Sequence, residues 1–295
     1  MRTRPTRRSA VLVLPLTFSL AACGTADDDG AAGPTAASTP LRQESAEPTA
    51  AQTPEPESPE EFLDLAEKAM RGENAWTFSV RGQEGLTLQG QKSAATYRAT
   101  VRRGMKSAAL HSQGVSTGSK GTKKTEELYV VGDTAYLKEG GAAWKSVSAA
   151  DPEMRNKAED PVAVIQEFRM YAQARNGDVK LTEASGTVEL RVESGRRQLT
   201  AVRDRAWAKK AEREFAPTAA QLRTAGIPVR NAELTLSGLE EVLVLDAKTY
   251  RIKSHRFEFG FLVPYNGQKI TFEQDVREEN TGTYDGRIEL PAGVS

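Results

Sequence analysis

The sequence predicts an α+β protein in which one large, curved antiparallel sheet wraps over a few helices. Over much of residues 74–276, apolar and polar side chains alternate every second position, which is typical of strands with one buried and one solvated face. Only residues 151–177 and 198–225 interrupt this pattern with helical spacing. We therefore expect about ten strands in one sheet, whose apolar face the helices cover.

The first residues are typical of an export signal. Four arginines among the first eight residues precede an apolar run at residues 10–20. This run is shorter than the roughly 20 residues that a membrane-spanning helix requires, so we interpret residues 1–22 as a signal peptide. Arg7-Arg8 leaves open whether export follows the general secretory or the twin-arginine route.

The sole cysteine follows directly. Leu20-Ala21-Ala22-Cys23 resembles the lipobox of bacterial lipoproteins, and this resemblance implies that Cys23 receives a diacylglyceryl group and becomes the first mature residue. The protein would then be lipid-anchored at the extracytoplasmic face of the cell membrane. The alternative is an ordinary secretory signal that ends near a cysteine. A single cysteine also permits no intramolecular disulfide.

Residues 23–57 are predicted to form a disordered acidic tether. Ala, Thr, Pro, Ser, Gly and acidic residues dominate this segment, which cannot bury enough apolar surface to offset its ordering entropy. Nine acidic residues and one arginine lie within residues 24–61. Of the 40 basic and 40 acidic residues, 35 basic and 31 acidic ones therefore remain for residues 62–295. This small excess gives no indication of a nucleic-acid partner.

Residues 58–295 are predicted to form a single domain that begins with a helix. Ser58-Pro59-Glu60-Glu61 combines a capping serine, a proline at the first helical position and the glutamate of a capping box. Apolar residues then recur at helical spacing up to Gly72. Gly132-Asp133 predicts a tight hairpin turn. Strands are predicted at 76–81, 97–102, 127–131, 134–138 and 143–147, with weaker candidates at 86–89 and 105–111 and a polar loop at 115–124.

Two helical blocks follow. Asp160-Pro161 predicts a helix start, and apolar residues at helical spacing extend from it towards Asn176-Gly177; Asp151-Pro152 predicts a similar start. Residues 198–215 predict a longer helix, followed by a short helical turn at 218–225. In the longer helix, Trp207, Ala208, Ala211 and Phe215 share one face, and Arg205, Lys209 and Arg213 lie opposite.

Strands between and after these blocks complete the sheet. Residues 179–182 and 187–192 are predicted strands, and the last third of the chain has the clearest alternation. Its apolar positions on one face are Ala232, Leu234, Leu236, Phe257, Phe259, Phe261, Ile270, Phe272 and Val276.

The order of strands and turns resembles that of the LolA and LppX/LprG type of envelope lipoprotein. The resemblance covers roughly residues 62–294 and depends on three stretches, at 74–80, 128–138 and 244–252. It implies an unclosed half-barrel wrapped over helices, in which some members hold acyl chains and carry lipids or lipoproteins across the envelope. Residues expected to line such a lipid cavity are Trp76, Phe78, Val80, Tyr97, Leu234, Leu236, Phe257, Phe259, Phe261 and Phe272.

Residues suited to catalysis are scarce. The two histidines, His111 and His255, each lie within a strand pattern, and no spacing indicates a metal site or a phosphate-binding loop. Residues 114–118 match the G-x-S-x-G elbow of hydrolases, but polar loop residues follow where that elbow needs a helix. Glu240 and Glu241 are adjacent on a strand and therefore point to opposite faces. We predict no enzyme, no metal and no cofactor.

Two functions remain open. The first is a membrane-anchored lipoprotein that binds or carries a lipid or acylated ligand in an apolar cavity between sheet and helices. The second is an envelope protein-interaction or sensor module on the same scaffold, without a lipid ligand and with an unknown protein partner. Phe257, Phe259 and Phe261 fit either one, since they could line a cavity or fill a close-packed core.

Overall fold

The computed structural model describes residues 55–151, 160–174 and 177–294. Cys23, the predicted signal peptide and nearly all of the predicted tether lie outside these residues, and so does the predicted helix start after Asp151. The assignments made for them therefore stay predictions. In the described part of the chain, no helix is both long and apolar enough to cross a bilayer.

Twelve strands pair antiparallel throughout to form one sheet. Alternating burial along each long strand shows that one face is buried and the other is solvated. The strands are β1 (Ala75–Leu88), β2 (Gln91–Gly104), β3 (Leu110–Thr117), β4 (Lys123–Val131), β5 (Thr134–Glu139), β6 (Lys145–Ser148), β7 (Lys180–Ala184), β8 (Thr187–Ser194), β9 (Arg197–Gln198), β10 (Thr235–Asp246), β11 (Ile252–Tyr265) and β12 (Gln268–Thr283).

The strand order is β6-β5-β4-β3-β2-β1-β12-β11-β10-β8-β7, and β9 pairs with β10. Strands that are close in sequence pair with one another in two groups, β1–β6 and β7–β12. The pairing of β1 with β12 joins the two groups at the centre of the sheet. Within the described residues β6 and β7 form the two ends, so the sheet is open rather than a closed barrel. This architecture confirms the predicted α+β fold with one large antiparallel sheet.

The helices are α1 (Pro59–Arg71), α2 (Val164–Ala172), α3 (Leu199–Val202) and α4 (Ala206–Thr224), with a 3₁₀ helix at Asn231–Glu233. The predicted capping box is present at the start of α1. Ser58 Oγ accepts from the Glu61 amide at 3.3 Å, and Glu61 Oε2 accepts from the Ser58 amide at 3.2 Å.

Two helix boundaries were predicted wrongly. Asp160 is not the N-cap of α2; its carboxylate accepts from Arg103 at 2.7 Å and from the Val162 amide at 3.1 Å, and the helix starts after Ala163. The predicted helix at 198–215 is divided at residues 203–205, and α4 then continues past Pro217 to Thr224. Buried side chains of α4 on both sides of Pro217 hold this continuation in place.

Strand boundaries differ where hairpins are tighter than predicted. Residues 115–124 are not a long loop, because β3 continues to Thr117 and β4 begins at Lys123. Residues 86–89 extend β1 instead of forming a separate strand, and the candidate strand at 105–111 reduces to the start of β3 at Leu110.

The helices pack on one face of the sheet, which we call the inner face. Phe215 of α4 lies 4.9 Å from both Phe261 and Phe272, measured between ring centroids, and Trp76 Nε1 donates to the Met70 carbonyl of α1 at 2.8 Å. The opposite, outer face carries charged side chains instead. There Arg256 Nε donates to Asp275 at 2.9 Å. The prediction that helices cover the apolar face is therefore confirmed.

Candidate functional site

The core between sheet and helices contains the ten residues predicted to line a lipid cavity. Nine of them lie on strands, whereas Leu234, which was predicted on a strand, lies between the 3₁₀ helix and β10. All of them belong to one buried core, together with side chains of α1, α2 and α4. The aromatic members are in mutual contact: Phe259 lies 5.0 Å from Phe257, 5.8 Å from Phe261 and 5.7 Å from Phe272 between ring centroids. Their role as lipid-contacting residues stays a prediction. The ten are Trp76, Phe78, Val80, Tyr97, Leu234, Leu236, Phe257, Phe259, Phe261 and Phe272.

Two groups of polar side chains interrupt this apolar surface, and the first consists of Glu84, Ser93 and Gln274. Glu84 of β1 and Gln274 of β12 lie directly opposite each other, and Gln274 in turn lies opposite Phe259. Ser93 of β2 is the diagonal neighbour of Glu84. Within residues 55–151, 160–174 and 177–294, Glu84 Oε1, Gln274 Oε1 and Ser93 Oγ are buried and have no hydrogen-bond partner. We call these three residues the polar trio.

The polar trio has the chemistry of a site for a polar group. Glu84 is 2% exposed, and burial raises the pKa of its carboxyl group to about 8, so that it is mostly protonated at neutral pH. A neutral carboxyl group can donate one hydrogen bond and accept others. Because buried polar atoms in proteins nearly always have partners, the trio is suited to a ligand that carries a hydroxyl, carbonyl or amide group.

A second polar group lies between the helices and strands β10–β12, and we call it the buried ionic cluster. It consists of Glu167, Tyr171, Lys210, Glu241, His255 and Glu278. His255 is at its centre: the ring nitrogens lie 3.0 Å from Glu278 Oε2 and 3.0 Å from Glu241 Oε1. Since both partners are carboxylates, both ring nitrogens donate and the imidazole is protonated.

The pKa values of this cluster follow from its charges. Burial alone would lower the pKa of His255, but its hydrogen bonds to Glu241 and Glu278 raise it to about 9. Burial opposes the charge of Glu241 as well, yet Lys210 and His255 lower the pKa of Glu241 to about 2. For Lys210 the attraction of Glu167 and Glu241 outweighs burial and raises its pKa. His255, Glu241 and Lys210 are therefore charged at neutral pH. Burial and the neighbouring carboxylates raise the pKa of Tyr171, which stays neutral and donates its hydrogen bond.

The cluster connects the helices to the sheet. Lys210 of α4 donates to Glu241 of β10 at 2.8 Å and also to Glu167 of α2. Tyr171 of α2 donates to the other oxygen of Glu241 at 3.0 Å, and Lys210 Nζ lies 4.6 Å from the centre of the Phe257 ring. The positions of α2 and α4 thus depend on hydrogen bonds and charge as well as on apolar packing.

Neither polar group was predicted from the sequence, although the alternation of apolar and polar residues contained a signal for both. Glu241, His255 and Glu278 share the face of Leu243, Phe257 and Val276, and Glu84 shares that of Val80 and Leu86. A charged residue at a core position of a strand pattern indicates such a group. The prediction that Glu240 and Glu241 point to opposite faces is confirmed: Glu240 accepts from Arg256 on the outer face at 3.2 Å.

The G-x-S-x-G match at residues 114–118 and His111 both lie at β3, in the half of the sheet formed by β1–β6. Residues 114–118 form the end of β3 and the start of a hairpin, and strand β4 follows instead of a helix, so the geometry of a hydrolase elbow is not present there. His111 of β3 lies within 3.1 Å of Glu127 and stacks on Tyr129 at 4.2 Å between ring centroids.

Two clefts open on the outer face. One, of about 590 Å³, lies over β1–β5 and is lined by Arg81, Arg98 and Lys138 among others. The other, of about 710 Å³, lies over β8–β12, and its lining includes four carboxylates: Glu193, Glu240, Glu258 and Glu273. Polar side chains dominate both clefts, in contrast to the aromatic inner face.

No protein-family model and no curated protein matches the sequence. Solved structures that resemble the chain include a DUF1329 family protein from Desulfovibrio piger, which is 8% identical with a TM-score of 0.30 and covers 79% of this chain and 96% of its own. A LolA superfamily protein from Nitrosomonas europaea is 7% identical with a TM-score of 0.27 and covers 79% of this chain and 96% of its own. A β-barrel-like DUF1849 protein from Brucella abortus is 6% identical with a TM-score of 0.22 and covers 72% of this chain and 99% of its own. At such TM-scores these likenesses carry no argument about function, and the fold described here depends on the chain's own strand pairing.

Proposed function

We propose that the chain is an extracytoplasmic lipoprotein, anchored through Cys23, that binds an acylated ligand between the inner face and the helices. The acyl chain contacts the aromatic residues around Phe259, and the polar part of the ligand bonds to the polar trio. The observation that supports this most directly is the position of the trio: three buried polar atoms without partners in the described residues lie next to a wall of phenylalanine rings.

The charge state of Glu84 supports an uncharged polar group as the ligand's contact. A protonated carboxyl group donates to a carbonyl oxygen without placing a negative charge in the core. Ester and amide linkages of acylated molecules carry such an oxygen next to their hydrocarbon chain. The phenylalanines then contribute dispersion and the hydrophobic effect, and no covalent chemistry is required.

Native mass spectrometry tests ligand binding on the full chain carrying Cys23→Ser, which cannot be acylated. We expect a non-covalent lipid adduct, and we expect Glu84→Leu to reduce the adduct at least tenfold because it removes the central polar contact. The matched control is Glu273→Leu, an exposed glutamate next to Gln274 that lies on the outer face. Protein without lipid, or equal loss in both variants, would contradict the proposal.

Anchoring is tested separately on the chain as the cell processes it. We expect the mass of the membrane-extracted protein to correspond to a chain that begins at Cys23 and carries a diacylglyceryl group. Cys23→Ala is expected to move the protein from the membrane fraction to the soluble fraction. A mature mass without lipid would contradict the anchoring and leave the ligand site unaffected.

The second candidate is a protein-interaction or sensor module, and the ends of the sheet favour it. Strands β6 and β7 are short, largely exposed and paired on one side only in the described part of the chain. Such edges accept a strand from another protein. Cross-linking in intact cells that recovers one dominant partner through residues of β6 or β7, with no lipid in the native spectrum, would favour this function instead.

A further inference from the structure

A row of four arginines crosses the centre of the outer face. Arg256 of β11 lies directly opposite Arg277 of β12, Arg277 opposite Arg81 of β1, and Arg81 opposite Arg98 of β2. Side chains that face each other in this way have Cβ atoms about 4.5–5.5 Å apart, and like charges in such positions repel. The fold therefore maintains an unfavourable arrangement of charge.

Carboxylates compensate only half of the row. Arg256 donates to Asp275 at 2.9 Å and to Glu240 at 3.2 Å, and Arg277 lies 3.4 Å from Asp275. Arg81 and Arg98 are exposed, and neither makes an ion pair with any residue that the structure describes. Two adjacent guanidinium groups thus keep their donors available as far as residues 55–151, 160–174 and 177–294 are concerned.

These two arginines line the cleft of about 590 Å³ over β1–β5. Ser79, Thr100 and Gln113 add hydroxyl and amide groups to its wall, and Lys138 adds a third cation. Glu126 and Glu127 also line the cleft, and the Glu127 carboxylate is bonded to His111 at 3.1 Å and to Tyr129 at 3.3 Å. The cleft has the size of a small-molecule site, and its three cations outnumber its two carboxylates.

We propose that this outer-face cleft binds a phosphate group, with Arg81 and Arg98 as its two principal contacts. A guanidinium group offers two parallel N–H donors that match two oxygens of an oxyanion. Two such groups side by side need more acceptor oxygens than the two of a single carboxylate, and a phosphate group supplies them. The bound anion also removes the repulsion between the arginines. The phosphate belongs either to a soluble phosphorylated compound or to an anionic phospholipid head group.

The test uses the full chain carrying Cys23→Ser with two probes: inorganic phosphate in titration calorimetry, and vesicles of phosphatidylglycerol or of phosphatidylcholine in sedimentation. Arg81→Gln combined with Arg98→Gln is expected to weaken binding at least tenfold. Arg196→Gln combined with Arg203→Gln is the matched control, because it removes the same charge from exposed arginines outside the cleft. We expect the control to change binding less than twofold.

Each result is decisive. Binding of inorganic phosphate that depends on Arg81 and Arg98 supports the site and indicates a soluble ligand. Binding to phosphatidylglycerol alone, with the same dependence, supports the site and indicates a membrane head group. Absence of binding to either probe, or an equal loss in the control, overturns the proposal. Because the cleft is on the outer face, none of these results tests the proposed acyl site of the inner face.

Discussion

At the scale of single residues, Glu84 reduces stability, and the proposed ligand site gives a reason for its presence. Its carboxyl group is buried in a wall of apolar side chains without an ion-pair partner in the described residues. Keeping it there requires that it stays protonated well above its usual pKa. A residue that served packing alone would be apolar at this position, since burying a polar group without partners costs about 1–3 kcal/mol.

Glu84→Gln is therefore expected to stabilise the protein at pH 7. The native pKa of about 8 lies above the reference value of 4.5, so the native state holds a proton at pH 7 that the unfolded state releases. Removing this penalty should raise the free energy of unfolding by about 1–3 kcal/mol at pH 7 and leave it nearly unchanged at pH 4. Urea unfolding at both pH values measures this, with Glu273→Gln as the exposed control. A gain of the same size at both pH values would contradict the assignment.

Arg98 is a second residue that we expect to reduce the stability of the protein, here through repulsion between like charges. Arg98→Gln removes the repulsion across from Arg81, so we expect the unfolding midpoint to rise by about 1 °C at low salt. The gain should disappear near 1 M NaCl, where the Debye length is about 3 Å. Thermal scans in phosphate-free buffer measure it. A destabilising effect at low salt would show that Arg98 contributes to packing instead.

At the scale of elements, the buried ionic cluster determines how α2 and α4 lie on the sheet. Lys210 is the only side chain of α4 that donates to both Glu167 of α2 and Glu241 of β10 in the described part of the chain. Removing one partner of a buried ion pair leaves the other charge unpaired, which is more costly than removing a surface pair.

Lys210→Met is expected to destabilise the protein by about 3–5 kcal/mol, because Glu167 and Glu241 lose their shared cation. Lys209→Met, at the exposed neighbour, is the control and should have little effect. Adding Glu167→Gln to Lys210→Met should recover part of the loss, so that the two changes are non-additive by more than 1 kcal/mol. Strictly additive effects in urea unfolding would indicate that the cluster does not act as a unit.

The elements also show what local sequence can predict. The capping box of α1, the Gly132-Asp133 hairpin and the alternating strands were found because their signals lie within a few residues. The helix break at residues 203–205 and the passage of α4 through Pro217 were not, because tertiary packing outweighs local propensity there. The polar trio and the ionic cluster depend on register: only the pairing of β1 with β12, across about 200 residues, places Glu84 opposite Gln274.

At the scale of the whole molecule, the buried titratable groups act together on stability. His255 has a raised pKa of about 9, so its stabilising contribution is complete below 6.5 and is lost as pH rises to 9. Burial raises the pKa of Glu214 to about 7 and that of Glu84 to about 8, and both oppose folding increasingly as pH rises above 4.5. All three effects have the same sign.

The free energy of unfolding is therefore expected to decrease from pH 5 to pH 9. Each proton that the native state keeps and the unfolded state releases costs about 1.4 kcal/mol per pH unit. Glu241, whose pKa of about 2 is depressed, contributes the opposite trend only below pH 4.5. Urea unfolding at pH 5, 7 and 9 measures the slope, and a stability that increases over this range would exclude the protonation states assigned here.

The central position of β12 has a consequence for how the molecule is made. The two groups of strands are held together by β12, which follows all the other described strands in the chain and bridges β1 and β11. Before residues 268–283 emerge from the ribosome, strands β1–β6 can pair with one another and so can strands β7–β11. The two groups cannot yet join into one sheet. Long-range closure of this kind is slow, so the nascent chain stays accessible to proteases and chaperones until β12 has been made.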